Sequence, residues 1–475
     1  MIIINPSYYC DMEKDTQELK VFFKEKNIQY VKVAITDIDG VLRGKYMHVD
    51  KFLNSTETGF GFCDVIFGWD SADNLYEFKP TEGEELFTGW HTGYPDQTVS
   101  VILDSKRKIP FENNILLYLS ELKEGEVCPR KTLKTTLKFL ESIGFKGKSS
   151  LEYEFFLFRE TPHTVRDKDF RNLDSFTPGM FGYSLLRNSV HSDLYLEILE
   201  MCSSMDFPLE SLHAETGPGV LEAAITVDET LRSADKAVLF KTFMKVLAQR
   251  KHLMATFMAK WSEKYPGQSG HIHCSLVDLQ NRPVFSNEQT GEMSEVMVHF
   301  LGGLQKYMKE FSALVAPTVN SYRRLTIGAW APVNMTWGKE NRTTGFRVIL
   351  GKPSAQRIEN RLPGADANPY LALSATFAAG FLGIKEKIEP TKPTYGGAYF
   401  VDTEDRYRVP VSLLEAAKLF KRSKAARSIW GNKFVDHFSS TRVWEYEQYI
   451  KKKPIFEKDS LKVPNWELKR YFEII

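Results

Sequence analysis

Polar side chains that alternate with apolar ones inside strand-like runs constrain this chain most, because they demand a cavity on one face of a sheet and a core on the other. Leu151-Glu152-Tyr153-Glu154-Phe155-Phe156, Gly270-His271-Ile272-His273-Cys274-Ser275-Leu276 and Arg357-Ile358-Glu359-Asn360-Arg361 carry the pattern, and Glu215 with Glu222 adds a fourth acidic stretch. Successive strand residues face opposite ways, so Glu152 and Glu154 share a face, as do His271 and His273, and as do Arg357, Glu359 and Arg361. A carboxylate or guanidinium held in an apolar strand is costly unless paired or metal-bound. Several such strands in one chain point to a shared cation and anion site, and so to an enzyme.

At 475 residues the chain exceeds what one core organises, and two domains are expected. A boundary near Cys128-Pro129-Arg130 gives a small mixed domain, 1–128, and a larger one, 129–475. Lys plus Arg number 62 against 61 for Asp plus Glu, so no global field draws the chain to nucleic acid or to an anionic membrane. The five cysteines are scattered, without a Cys-x-x-Cys pair, which fits a reducing, cytoplasmic setting. The apolar start Met1–Ile4 meets Asn5-Pro6 at once, leaving no signal-peptide core. The run Leu371–Ile384 is too short for a span of about 20 residues and reads as a buried helix after Asn368-Pro369.

The spacing predicts helices over residues 15–27, Lys131–Ile143, Ser192–Met205 and Ala234–His252, and a helical tail over Ser412–Ile475. Strands are expected as a pair within Tyr30–Val41 joined at Asp39-Gly40, and at Gln97–Leu103, Ile115–Leu119 and Val220–Val227, with a surface loop over Thr161–Gly182. No internal repeat is present, and the class is α+β.

Glu152, Glu154, Glu215, Glu222, Glu359 and His271 form an oxygen-rich donor set that suits Mg²⁺ or Mn²⁺ better than zinc. So many carboxylates raise one another's pKa, and two ions are needed to balance them. The cationic half comprises Arg324, Arg342, Arg347, Arg357 and Arg361. Arginine forks bind carboxylates and phosphates bidentately, and metal ions beside them are what phosphoryl transfer requires. No P-loop is present. Taken singly, each motif has an ordinary reading: a solvated edge strand for Glu152-x-Glu154, a structural histidine for His271, a surface ion-pair ladder for Arg357-x-Glu359-x-Arg361. His213, beside Glu215, reads as a supporting residue rather than a ligand. Their joint occurrence favours a site.

At these residues the chain resembles the glutamine synthetase family. Glu152-Tyr153-Glu154-Phe155-Phe156-Leu157-Phe158 is similar to the family's Glu-Pro-Glu-Phe-Phe-Leu-Phe strand, and His213-Ala214-Glu215 through Gly217-Pro218-Gly219-Val220-Leu221-Glu222 to its second metal segment. Ser269-Gly270-His271-Ile272-His273, Asn320-Ser321-Tyr322-Arg323-Arg324-Leu325, Asn341-Arg342-Thr343, Arg357–Arg361 and Ala367-Asn368-Pro369-Tyr370-Leu371 follow in family order. The resemblance implies an N-terminal β-grasp domain and a catalytic α/β domain whose antiparallel strands form a funnel. It also implies a homo-oligomeric ring, a dodecamer or decamer, in which one subunit's N-terminal domain closes its neighbour's site. Carried across, Glu154, Glu215 and Glu222 hold one metal ion, and Glu152, His271 and Glu359 the other. Arg324 and Arg361 position glutamate, Arg342 stabilises the transferring phosphoryl group, and His273, Ser275, Arg347 and Arg357 line the nucleotide site. The implied reaction is an ATP-dependent ligation of L-glutamate with ammonia or a primary amine through γ-glutamyl phosphate, part of nitrogen metabolism.

Four departures qualify the resemblance. Where ammonium-using members carry a flap glutamate, Ile327-Gly328-Ala329-Trp330-Ala331-Pro332 places Trp330, which accepts no proton but offers apolar contact and a cation–π face to an organic amine. The family's Asp-Gly-Ser-Ser ammonium motif is replaced by Phe62–Asp70, leaving Asp64 as a stand-in. Pro266-Gly267-Gln268 replaces an Asn-Gly pair that contacts glutamate, and Ser354 a nucleotide-side lysine, with Lys352 close by. No tyrosine-bearing adenylylation loop is recognisable. The competing readings are a catalytically inactive, ring-forming member of the family and a two-metal hydrolase. Intact ligand positions weigh against the first, and the arginine set, suited to two anionic substrates, against the second.

Overall fold

In the computed structural model, which describes residues 6–77, 83–456 and 463–475, two sheets organise the chain. The apolar start Met1–Ile4 and residues 457–462 of the expected helical tail lie outside the described residues. The first sheet comprises β1 (Tyr30–Thr36), β2 (Leu42–His48), β3 (Phe60–Cys63), β4 (Asp96–Val101), β5 (Arg107–Lys108) and β6 (Leu116–Leu122). Its order is β2-β1-β6-β4-β3, with β5 on β6 and β1 parallel to β6. Helix Val49–Thr58 packs on it through Phe52, whose ring lies 4.6 Å from Tyr118 and 5.8 Å from Phe23 of helix Pro6–Glu25.

The expected hairpin is present but longer. The Asp37 carboxylate accepts the backbone N–H groups of Asp39 and Val41 at 3.0 and 2.9 Å, so the turn spans residues 37–41 and the second strand only begins at Leu42. That strand reads Leu-Arg-Gly-Lys-Tyr-Met-His and is mostly exposed, which is why apolar patterning does not reveal it.

The second sheet contains β7 (Phe145–Phe158), β8 (Leu209–Ala214), β9 (Val220–Ile225), β10 (Asp228–Glu229), β11 (Met254–Thr256), β12 (Gly270–Asp278), β13 (Trp337–Lys339), β14 (Phe346–Ile349) and β15 (Arg357–Asn360). Its order is β13-β14-β15-β12-β7-β9-β8, antiparallel except for β13 with β14. One face is dry: Tyr153 stacks on Phe240 of helix Thr230–Arg250 at 6.1 Å, and Phe155 on Phe257 at 5.1 Å. Helix Pro369–Glu386 is buried almost throughout, as its alanine-rich sequence requires. Its N-cap, Asn368, accepts the Tyr370 N–H at 3.0 Å and donates to the Asp37 and Ile38 carbonyls, both at 3.2 Å, tying the helix to the β1–β2 turn. No helix among the described residues is long and apolar enough to cross a membrane.

The expected Thr161–Gly182 loop contains a short helix, Pro162–Asp167, closed by a capping box between Thr161 and Thr164. The tail forms helices Leu413–Arg422, Lys424–Phe456, kinked at Gly431, and Asn465–Tyr471. Arg470 there pairs with both Asp70 and Glu445, and Arg442 with Asp39 at 2.8 Å, fastening the tail to the first sheet's loops.

Candidate active site

Strand register assembles the polar residues. In β7, Glu152 lies opposite His271 of β12 on one side and Ala224 of β9 on the other, and Glu154 lies opposite Glu222. Glu359 of β15 faces His273 of β12 and Arg347 of β14. His213 of β8 faces Glu222. Neighbouring strands thus deliver the acidic and imidazole groups to the face opposite the aromatic core, because each is in phase with the pleat.

Two compact donor groups result. One oxygen or nitrogen from each of Glu152, His273 and Glu359 lies within 4.8 Å of the others, and the same holds for His213, Glu215 and Glu222. His273 Nε2 is 3.0 Å from Glu152 Oε1, while His271 Nδ1 is 3.3 Å from Glu359 Oε1 and 3.8 Å from Glu152 Oε2, so both imidazoles face the same carboxylates. Glu154 Oε2 accepts the Ser269 N–H at 2.8 Å. Relative to the expected sets, His273 groups with Glu152 and Glu359, and His271 Nδ1 lies within 3.8 Å of the same two carboxylates. In the second group His213, read from the sequence as a supporting residue, lies 3.3 Å from Glu215 and 4.0 Å from Glu222, and Glu154 lies opposite Glu222 in register.

The charges are unbalanced. Burial, then repulsion from Glu154, Glu152, Glu215 and Glu359, pushes Glu222 up to about 9. Burial also opposes ionisation of Glu152, yet His273 and His271 hold it well below the carboxylate range. Burial and the nearby Arg361 guanidinium lower His271, favouring the neutral ring, and its buried Nε2 has no hydrogen-bond partner. Crowded carboxylates with imidazole nitrogens beside them form a donor set that fits divalent cations such as Mg²⁺ or Mn²⁺.

The guanidinium half surrounds this cluster. Arg324 is 2 % exposed and donates to the Leu362 and Arg361 carbonyls at 3.0 and 3.1 Å; burial lowers it to about 10, while Glu154 acts in the opposite sense. A Cβ on Gly267 would sit 2.7 Å from Arg324 Cγ, so only glycine fits there. Arg361 pairs with Glu359, and its buried Nε is unpartnered. Arg347 bonds Glu359 at 3.0 Å and also pairs with Glu340. Arg357 Nε lies 3.1 Å from His273 Nδ1. A cavity of about 240 Å³ opens beside Glu152, His273, Ser275 and Arg357, with Ser354 in its wall.

The remaining expected residues sit farther out. Arg342 is exposed on the turn between β13 and β14 and acts through space on Tyr183. Trp330 is 65 % exposed, at φ +55°, and its carbonyl lies 3.5 Å from Arg361. Gln268 is fully buried, with Oε1 unpartnered. Asp64 is buried in the N-terminal half, accepting from Thr88 at 2.7 Å and Gln97 at 3.2 Å.

Sequence reasoning missed Tyr183 and Lys148. Tyr183 stacks on His213 at 4.5 Å and 12°, and burial together with Glu215 and Glu222 raises its hydroxyl to about 12. It sits at φ +59° in an irregular segment, where no periodicity could mark it. Lys148 lines the cavity from β7, two positions before Ser150 and four before Glu152, a signal the strand phase contains.

Comparison with known proteins gives a consistent picture. A family model described as the catalytic domain of glutamine synthetase matches residues 126–471. A type-1 glutamine synthetase 2 of Dictyostelium discoideum is 42 % identical over 455 residues, covering 94 % of this chain and 84 % of the relative. A glutamate–isopropylamine ligase of a Pseudomonas species is 38 % identical over 472 residues, covering 98 % and 99 %. A gamma-glutamylethanolamide synthetase of Streptomyces coelicolor is 33 % identical over 463 residues, covering 96 % and 95 %. A solved structure described as apo GmaS without ligand superposes with a TM-score of 0.77 at 24 % identity, covering 94 % of this chain and 97 % of that one, a likeness of fold.

Proposed function

The chain belongs to the glutamine synthetase family and is a ligase, and from that premise we propose that it joins L-glutamate to a small organic primary amine at the expense of ATP. The observation that carries the reading is the meeting of an acidic cluster, Glu152, Glu154, Glu222 and Glu359, with Arg324, Arg347, Arg357 and Arg361, on one face of one sheet. An anionic acid substrate and a polyphosphate need such a pairing.

Two divalent cations, held by Glu152, Glu359 and a histidine on one side and by Glu154, Glu215 and Glu222 on the other, would neutralise phosphate charge. Arg324 and Arg361 orient glutamate so that its γ-carboxylate oxygen attacks the terminal phosphorus and the bond to ADP breaks. Arg347 and Arg357, with His273 and Ser275, hold the nucleotide, and Arg342 screens the moving phosphoryl group from the rim. The amine nitrogen then displaces phosphate from the γ-carbonyl carbon and loses a proton.

Trp330 supports an organic acceptor. A bulky residue at positive φ is strained by roughly 1–3 kcal/mol, and strain of this kind gathers at ligand clamps. The indole offers apolar area and a cation–π face but no base. Full-length relatives named for isopropylamine and for gamma-glutamylethanolamide agree with that choice.

The test is phosphate release from ATP with Mg²⁺ and glutamate across ammonium, methylamine, isopropylamine, ethanolamine and putrescine. Release with an organic amine in preference to ammonium is expected, with Trp330→Glu narrowing the preference about tenfold, the scale of one lost apolar or cation–π contact. Preference for ammonium in the unaltered protein would overturn the acceptor, and silence with every amine would overturn the ligation of glutamate.

A further inference from the structure

Behind the catalytic sheet lies a second cavity, of about 470 Å³, walled by the β1–β2 turn, helix Thr230–Arg250 and the residues after Tyr471. Lys241, Lys245 and Arg250 line it from the helix, and Asp39 and Glu473 from the other walls. The two carboxylates are already engaged: Asp39 with Arg442 at 2.8 Å, and Glu473 with Arg166 at 2.6 Å. The cations are less fully matched, since Glu473 acts on Lys245 and Asp366 on Lys241 only through space. Lys241 is 5 % exposed and has only a long bond, 3.4 Å, to the Ala367 carbonyl; Lys245 donates to the Ile474 carbonyl at 2.8 Å. Among the described residues neither lysine has an ion-pair partner, and both ammonium groups lie over the Phe257 ring, at 5.8 and 5.5 Å. Arg250 lies over Phe111 at 4.8 Å.

Lysine ammoniums one helical turn apart repel each other, and burying one without a counter-charge costs several kcal/mol. Burial accordingly draws Lys241 down to about 8 against the pull of Asp366, and burial and its neighbour Lys241 draw Lys245 well below its ordinary value against the pull of Glu473. Apolar residues would fill this wall at lower cost, so a role for the charges is indicated.

We propose that this cavity is a binding site for a small dianion, a dicarboxylate or a phosphate-bearing metabolite, held between Lys241, Lys245 and Arg250. Its wall leads to the catalytic face. Lys241 bonds the Ala367 carbonyl, and the adjoining Asp366 accepts from Thr318 at 2.9 Å and from Ser321 at 2.5 Å, where the turn carrying Arg324 begins. Occupancy therefore reaches the glutamate arginine through one short chain of contacts, which gives the site a route to regulate KM for glutamate.

The experiment is thermal denaturation and calorimetric binding of the full chain with succinate and, separately, inorganic phosphate. Neither readout needs turnover, so the result is independent of the proposed ligase activity. Saturable stabilisation by either anion is expected, and which one acts identifies its class. Lys245→Met and Arg250→Gln should each weaken binding about tenfold, the loss of one charge-assisted contact, whereas Arg361→Met at the catalytic face should leave it unchanged. Without anion, Lys241→Met should unfold no earlier than the unaltered protein, as removal of an uncompensated charge predicts. Absence of stabilisation by both anions, or stabilisation that disappears with Arg361 and survives Lys245→Met and Arg250→Gln, would overturn the proposal.

Discussion

Two buried regions of this molecule are dense in charge, and they are built on opposite terms. In the tail, Glu445 and Asp70 share Arg470, with Tyr471 also donating to Glu445, and Glu467 accepts from Arg323 and from Asn320 at 2.7 Å. Each of these carboxylates has a guanidinium. On the acidic face of the second sheet Glu152, Glu154, Glu215 and Glu222 crowd together with three imidazoles, His213, His271 and His273, and Glu222 is driven up to about 9 by burial and the other carboxylates. The tail network is complete within the chain and holds it closed. The acidic cluster has no such guanidinium for Glu222 or Glu215 among the described residues, an imbalance that a bound cation would relieve, which is how structural and functional charge can be told apart.

The comparison is broken hardest at its shared currency, the matched carboxylate. Replacing Glu359 by Gln, whose amide oxygen still accepts from Arg361 and Arg347, should cut amine-dependent phosphate release roughly 10³-fold, the scale of a lost electrostatic stabiliser, while the melting temperature stays within a few degrees. A parallel fall in stability would place Glu359 in the structural class. Replacing Arg470 by Met strands Asp70 and Glu445 in the interior and should cost about 3–5 kcal/mol, read by denaturant unfolding. A loss under about 1 kcal/mol would mean that the tail network is not holding the fold. Mg²⁺ at a hundredfold excess over its Kd should stabilise the protein by about 2.7 kcal/mol, and Glu222→Gln should abolish most of that gain without destabilising the metal-free protein. Equal stabilisation of both proteins would remove Glu222 from the cation site.

The smallest effect is in pH. Burial opposes ionisation of Glu445, but Arg470 holds its pKa below the ordinary 4.5. Its contribution is complete above that value and is lost as pH falls through the lower, folded-state pKa, because the unfolded chain takes the proton first. Acid unfolding as pH falls below 4.5 should therefore be shallower in Glu445→Gln than in the unaltered protein. An unchanged slope would show that other carboxylates govern acid stability.

How legible these regions are in the sequence follows from their physics. The catalytic strands β7, β12 and β15 announce themselves because charge interrupts an apolar run in phase with the pleat. β2 and β8 carry polar residues on both faces and offer no such contrast. Among the site residues, the strand-borne carboxylates, imidazoles and arginines could be singled out by phase. Tyr183 could not, because it depends on a left-handed backbone in an irregular segment. Choosing between His271 and His273, or between Glu154 and His213, requires distances that register alone does not supply. Lys241 and Lys245 read as the solvated side of an amphipathic helix until the β1–β2 turn and the tail are seen to cover them.

β7 runs for 14 residues, with Lys148, Ser150, Glu152 and Glu154 on one side and Ser149, Leu151, Tyr153 and Phe155 on the other. At about 3.3 Å per residue, like-facing groups stand about 6.6 Å apart, so the strand is a ruler whose marks run from the cavity beside Lys148 and Ser150 to Glu154. A ruler tolerates relabelled marks but not a missing division. Deleting one residue between Phe145 and Glu152 would bring Tyr153 and Leu151 to the wet face and send the carboxylates into the aromatic core. Single residues on exposed segments such as the one carrying Trp330 can therefore change one at a time, while the length of this strand is closed to variation.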